Sequence, residues 1–196
     1  MQERQRGRPR SFDREAALDL AVRLFWTKGY EATSISDLTT ELGIGVRSLY
    51  GAFGDKKALF DEAVDAYGRT YGGWIARALS EEPTAKQAIA RILHEAATEH
   101  TRPDRPRGCM LLCAADNTNN AEVSEQLRQL RNRDLAVYEE RIRADVEVGL
   151  LPADTDSAAL ARYAGAVLQG ISQSARDGAT RGQLQRVAAL AIQGWP

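Results

Sequence analysis

Apolar residues recur at helical spacing through most of this chain, and the strict alternation that a half-buried strand needs is sparse. Ala17, Leu20, Ala21, Leu24 and Phe25 form one stripe behind Asp13, a suitable N-cap, and Gly29 closes that helix after Lys28. Ile35, Leu38 and Leu42 fall at i, i+3 and i+7, behind Ser34 and Asp37 at the spacing of a capping signature. Val46, Leu49, Tyr50 and Phe53 repeat the pattern after Gly43-Ile44-Gly45, and Tyr30 and Phe53 are expected to complete one small core with the first helix. Asp55 then caps a long helix expected to reach about Ser80, carrying Leu59, Ala63, Ala66, Tyr67 and Trp74. A further helix over residues 84–101 turns Ile89, Ile92, Leu93 and Ala96 inward, and the proline-rich stretch 102–108 is the clearest loop. A short helix from Cys109 to about Asn117, a long one over 121–148 and two more over 156–177 and 180–194 complete an all-α protein of about nine helices.

The two short helices on either side of Gly43-Ile44-Gly45 are the informative ones. Gly43 suits the left-handed position that ends the first, Ile44 plugs the corner, and the second is left free to enter a groove. That is a helix-turn-helix, and it points to DNA. A net charge of −1 excludes a protein that binds nucleic acid over its whole surface. The charge is uneven, however: residues 1–57 hold ten Lys/Arg against eight Asp/Glu, and the remainder sixteen against nineteen. Arg4, Arg6, Arg8 and Arg10 supply the excess, on an N-terminal stretch that Gly7 and Pro9 keep from forming a regular helix. An arginine arm beside a helix-turn-helix can drop into the adjacent minor groove. Within the second short helix, Arg47 is placed to read guanine O6 and N7. Ser48 suits a base or phosphate, and Val46 a thymine methyl.

Phe12 to Phe60 closely resembles the DNA-binding end of the tetracycline-repressor-like (TetR) family of bacterial regulators. The resemblance is carried by Ala21-Val22-Arg23-Leu24-Phe25, Gly29-Tyr30-Glu31-Ala32-Thr33-Ser34, Ile44-Gly45-Val46-Arg47-Ser48-Leu49-Tyr50 and Asp55-Lys56-Lys57-Ala58-Leu59-Phe60. It implies phosphate contacts from Ser34, Ser36, Tyr50 and Lys56, beside Gly45 at the start of the reading helix. With Arg6, Arg8, Arg10, Val46, Arg47 and Ser48, these form the expected DNA-contacting set. The sequence departs from many relatives at Gly51-Ala52, where they carry His or a second aromatic. A glycine inside a helix costs about 1 kcal/mol relative to alanine. The resemblance divides the chain into an arm (1–11), a DNA-reading domain (12–57) and a helical effector-binding and dimerisation body (58–196).

For the body, the resemblance implies a homodimer on a palindromic operator, released by a small-molecule effector. Leu160, Ala164, Val167 and Ile171, with Leu184, Val187 and Leu190, are the expected interface, among many alanines and glycines that allow close approach. Tyr67, Tyr71, Trp74, Met110, Tyr138 and Gln169 are candidates to line the effector pocket. Cys109 and Cys113 lie one turn apart, badly placed for a direct disulfide. With Arg105 and Arg107 nearby they form a candidate redox or electrophile sensor. His94 and His100, six residues apart, fall on different helix faces, so no metal site is expected, and no cofactor. No nucleophile elbow, phosphate loop or dinucleotide fingerprint points to an enzyme. No leader-like segment or membrane-length apolar run is visible, and the expectation is a cytoplasmic protein. A helical ligand binder that has lost DNA binding is the alternative of a different class.

Overall fold

Capping residues set the boundaries of the helices. In the computed structural model, which describes residues 12–115 and 118–196, these residues form ten helices. They are α1 (Arg14–Lys28), α2 (Ile35–Leu42), α3 (Val46–Phe53), α4 (Lys56–Tyr71), α5 (Gly73–Glu81), α6 (Ala85–Glu99), α7 (Met110–Ala115), α8 (Ala121–Glu147), α9 (Ser157–Arg176) and α10 (Arg181–Gln193). The Asp13 carboxylate accepts the backbone N–H groups of Glu15 and Ala16 at the start of α1. Asp55 does the same for Ala58 on α4, Asn120 for Val123 on α8 and Asp156 for Ala159 on α9. Each cap satisfies donors that the first turn leaves without a partner.

The single helix expected from Asp55 to Ser80 is two, because the chain turns at Gly72. Its N–H still bonds the Gly68 carbonyl at 3.2 Å, but a Cβ there would stand 2.8 Å from that same oxygen. Gly68, Gly72 and Gly73 also each lower helix propensity, so the break falls where propagation is weakest. The apolar spacing continues across the break and hides it from a reading of periodicity.

Burial divides into two cores. The first gathers Phe25, Leu38, Leu49, Phe53, Leu59 and Phe60 of α1–α4 with Met110, Cys113 and Ala114 of α7 and Val123 and Leu127 of α8. It therefore takes residues from both sides of position 57. Phe60 meets Phe25 edge-on at 5.1 Å and Tyr30 at 5.0 Å, and Trp26 meets Tyr67 at 4.8 Å and Tyr71 at 5.2 Å. The second core joins α5, α6, α9, α10 and the C-terminal half of α8 around Ile92, Leu93, Ile142, Ile171 and Leu184.

The loop over residues 102–108 straps the two cores together. Arg23 of α1 donates to the Asp104 carbonyl at 2.8 Å, and the Trp26 indole N–H to that of Gly108 at 3.2 Å. From the other side, the Arg107 guanidinium donates to the carbonyls of Ala175 (2.6 Å), in the last turn of α9, and of Ala179 in the turn that follows it. What reads in sequence as a surface loop is thus hydrogen-bonded at both ends.

Candidate functional site

The turn between α2 and α3 is built as its residues require. Ser34 accepts the Asp37 N–H at 3.0 Å, while the Asp37 carboxylate accepts the Ser34 N–H at 2.9 Å. Lys28 adds an ion pair to Asp37 at 2.7 Å, and these bonds hold that carboxyl well below the usual range. Gly43 takes the left-handed conformation (φ 65°, ψ 29°) and returns its N–H to Thr39 and Thr40. Leu49 and Phe53 bury one face of α3, which leaves Val46 (49% exposed) and Tyr50 (45%) on the other, beside exposed Arg47 and Ser48. Ser34, Ser36 and Gly45 are exposed at the same end. The described members of the expected DNA-contacting set are therefore all exposed, except that Lys56 is half-buried. Its ammonium lies 4.4 Å from the centre of the Tyr30 ring and 3.5 Å from the Glu31 carbonyl oxygen, and burial lowers its pKa. Arg6, Arg8 and Arg10 lie outside the described residues.

Arg14 fixes the far end of α3, a role with no signal in the sequence beyond its place in the first turn of α1. Its guanidinium donates twice to the Ala52 carbonyl (3.1 and 3.2 Å), pairs with Glu62 of α4 at 2.7 Å and lies 4.5 Å from the centre of the Phe53 ring. α3 runs unbroken through Gly51, and a Cβ at that position would meet nothing within 4 Å. Gly51→Ala is accordingly expected to raise stability by about 0.5–1 kcal/mol, read as a shift of the urea midpoint at unchanged slope. A lowered midpoint would mean that the site is not the open one the geometry describes.

A cavity of about 360 Å³ opens among α4, α5, α7, α8 and α9. Five of the six expected lining residues are on its wall: Tyr67, Tyr71, Trp74, Tyr138 and Gln169. Met110 is not, because its side chain turns away into the first core and is fully buried there. The wall also holds His100, Cys109, Arg131 and Asp134, and apolar Ile75, Leu79, Leu111, Leu112, Leu135 and Leu168. Leu135 and Gly165 mark a tight crossing of α8 and α9, since a Cβ on Gly165 would come within 2.5 Å of the leucine. His100, Arg131 and Asp134 carry no cavity signal in sequence, where a lone charged residue on a helix reads as a solvated face.

The geometry does not favour the cysteines as the candidate sensor. They are not joined by a disulfide, and only Cys109 reaches the cavity. Burial pushes the Cys109 thiol above its ordinary pKa, against a smaller opposing effect of a hydrogen bond with Tyr67. The arginines expected to activate it are engaged elsewhere: Arg105 with Glu99, Asp104 and the Tyr71 ring, Arg107 with the α9 carbonyls. A thiol raised by burial is a poor nucleophile at neutral pH.

His100 packs edge-on to Trp74 at 6.1 Å, and burial lowers its pKa to about 4. The unfolded chain takes up this proton near pH 6.5, the folded one only near 4, so stability is lost as pH falls through that window. The loss is at most about 3 kcal/mol. Urea unfolding between pH 7 and 4.5 should show it, and His100→Gln should flatten that part of the profile. Asp104, held down to about 2 by Arg102, titrates below this window. An unchanged profile in His100→Gln would assign the slope elsewhere.

On α9 and α10 the structure divides the residues of the expected interface between an inward and an outward face. Ala164, Ile171 and Leu184 are buried inside the chain's own second core, and Leu160 and Val167 are half-buried against it. The outward face is Ala159, Tyr163, Ala166 and Gly170, one residue earlier at each step, with Val187 (45% exposed) and Leu190 (65%) beside it on α10. Small residues occupy both registers, so spacing alone does not separate the inward stripe from the outward one.

Residues 17–63 match the family described as "Bacterial regulatory proteins, tetR family". Over 194 residues the chain is 32% identical to the HTH-type transcriptional repressor ComR of Escherichia coli, covering 97% of this chain and 92% of that one. It is 29% identical over 190 residues to the HTH-type transcriptional repressor BdcR of the same organism, with the same coverage of 97% and 92%. In structure it is similar to a cysteine mutant of the TetR family transcriptional regulator CifR, solved in complex with a 26-bp double-strand operator DNA. The identity is 37%, the TM-score 0.91, and the likeness covers 97% of this chain and all of that one. No helix among the described residues is long and apolar enough to cross a membrane. With the exposed reading helix, the body cavity and relatives that match along nearly the whole length, the chain belongs to the tetR family of bacterial regulatory proteins.

Proposed function

We propose that the chain is a cytoplasmic, dimeric transcriptional repressor that binds a palindromic operator and is released by a small molecule seated in the body cavity. It acts by binding and not by catalysis. Residues 12–57 read DNA, the arm over 1–11 adds minor-groove contact, and 58–196 hold the effector and the partner copy. Two copies meeting over the outward face of α9 and α10 would set two α3 helices about 34–36 Å apart, one turn of B-DNA. Val187 and Leu190 are the apolar side chains that such a contact would cover.

One observation carries this reading: the cavity wall packs directly on α1 of the DNA-binding end. Tyr67 and Tyr71 line the cavity and pack on Trp26 of α1, and the Tyr71 hydroxyl donates to Asp19 of α1 at 2.8 Å. A molecule that displaces Tyr71 therefore moves the base on which α2 and α3 stand. It releases DNA only by binding the DNA-incompetent arrangement more tightly. A coupling of about 1–3 kcal/mol lowers operator affinity about 5–150-fold, and operator DNA must weaken effector binding by the same factor. Calorimetric titration of an effector identified from a metabolite panel, with and without saturating operator at fixed salt, tests this. Identical effector affinities in the two titrations would sink the release mechanism.

A further inference from the structure

The cavity's polar groups are unequally provided for. The Tyr71 hydroxyl is bonded to Asp19, and Tyr67 and Cys109 are bonded to each other. Asp134 and Gln169 are exposed residues of the wall, although burial raises the pKa of the Asp134 carboxyl. His100 is held neutral by burial. Among the described residues of the wall, the Arg131 Nη1 and the Tyr138 Oη are both buried with no hydrogen-bond partner. Tyr138 is 2% exposed, and its hydroxyl is bonded to no protein group. A buried donor left without a partner destabilises the empty site, and a ligand that supplies the partner recovers that loss.

The chemistry of the two atoms restricts that partner. A guanidinium nitrogen only donates, so Arg131 needs an acceptor, and its fixed positive charge favours a carboxylate. Burial raises the Tyr138 pKa, so at neutral pH it is a neutral hydroxyl facing a second oxygen. Arg131 and Tyr138 are seven residues apart on α8, which puts them on one face and about 10 Å apart along the axis. Asp134 lies between them in sequence, one turn from Arg131; burial raises its carboxyl pKa, so the site disfavours its anionic form as the partner of the guanidinium. The rest of the lining includes the apolar side chains Trp74, Ile75, Leu79 and Leu168.

We propose that the cavity takes an organic acid with a ring-sized apolar body, its carboxylate on Arg131 and a second oxygen about two helical turns away on Tyr138. This rests on the effector reading above. The 360 Å³ of the cavity suits that size, since an apolar cavity of about 150 Å³ accepts benzene.

Three probes separate the parts of the proposal: 3-(4-hydroxyphenyl)propanoate, 3-phenylpropanoate and tyramine. Binding to the full chain without DNA is followed by calorimetry. The hydroxy acid is expected to bind at least tenfold tighter than tyramine and several-fold tighter than 3-phenylpropanoate. Arg131→Met should abolish the preference for acid over amine. Tyr138→Phe should abolish only the preference for the hydroxylated acid. That variant loses a hydroxyl with no partner, so its fold is expected to persist, checked by circular dichroism. The proposal is overturned if tyramine binds as tightly as the acids, if the preferences survive in both variants, or if no probe binds at 5 mM, a concentration of about 10⁻² M order at which even weak sites fill. Operator affinity is measured separately. An acid that binds with these preferences yet leaves operator affinity unchanged overturns the release mechanism and not this assignment. Release by compounds without the preferences does the reverse.

Discussion

Arg47→Ala is expected to lower affinity for the operator by about 5–150-fold, corresponding to about 1–3 kcal/mol, and to relax sequence preference at one position in each half-site. Arg47 is the second residue of α3, exposed, and not engaged in an ion pair with any described residue. Its fork is therefore free for a base edge. The helix that carries it is rigid at both ends: the Ser34–Asp37 capping box and Gly43 set its approach, and Arg14 holds its last turn through the Ala52 carbonyl. Fluorescence anisotropy at fixed salt, on the operator, on single-base variants and on random DNA, reads both effects. Equal losses on all duplexes would reassign Arg47 to phosphate. Lys56→Ala supplies the contrast, since its ammonium over Tyr30 has no reach to a base edge by way of α3. It should weaken all duplexes alike and flatten the salt dependence.

Phe60→Ala is expected to cost about 3–5 kcal/mol of folding stability, a large part of the roughly 5–15 kcal/mol of a typical domain. The ring is fully buried and meets Phe25 and Tyr30 edge-on, so it joins α4 to α1 and to the turn that precedes α2. Truncation loses both apolar burial and two aromatic contacts, and the cavity left behind has helices on every side that cannot all collapse into it. Urea denaturation followed by circular dichroism measures the loss. Operator binding should fall with it, through the unfolded fraction, and recover at lower temperature where the variant is folded. A loss under 1 kcal/mol would mean that the first core is not what fixes α4 on the reading head.

The helix-turn-helix was legible because its signals are local. A capping pair three residues apart, a glycine where the chain must turn left-handed and an apolar face of period 3.6 are all written within twenty residues of one another. Five pocket residues were legible for a coarser reason: large aromatic residues on the central helices have to face one another somewhere. What failed was register and partnership. The break at Gly72 interrupts the backbone without interrupting the apolar spacing. The outward face of α9 differs from the inward one by a single residue step, and small side chains occupy both. Arg105 and Arg107, neighbours of Cys109 in sequence, point to Glu99 and to the α9 carbonyls in space, a distance in partners that no spacing rule encodes. Arg131 carries no cavity signal in sequence, and the unbonded atoms of Arg131 and Tyr138 show only in the structure.

The most direct measurement is an anisotropy titration of the full chain against a labelled duplex taken from immediately upstream of its own gene, with a scrambled duplex of the same length at the same salt. A dimeric operator-binding repressor saturates the first at two chains per half-site pair and binds it at least about 10³-fold more tightly than the scramble. Equal affinity for the two duplexes, or saturation by a single chain, would contradict it.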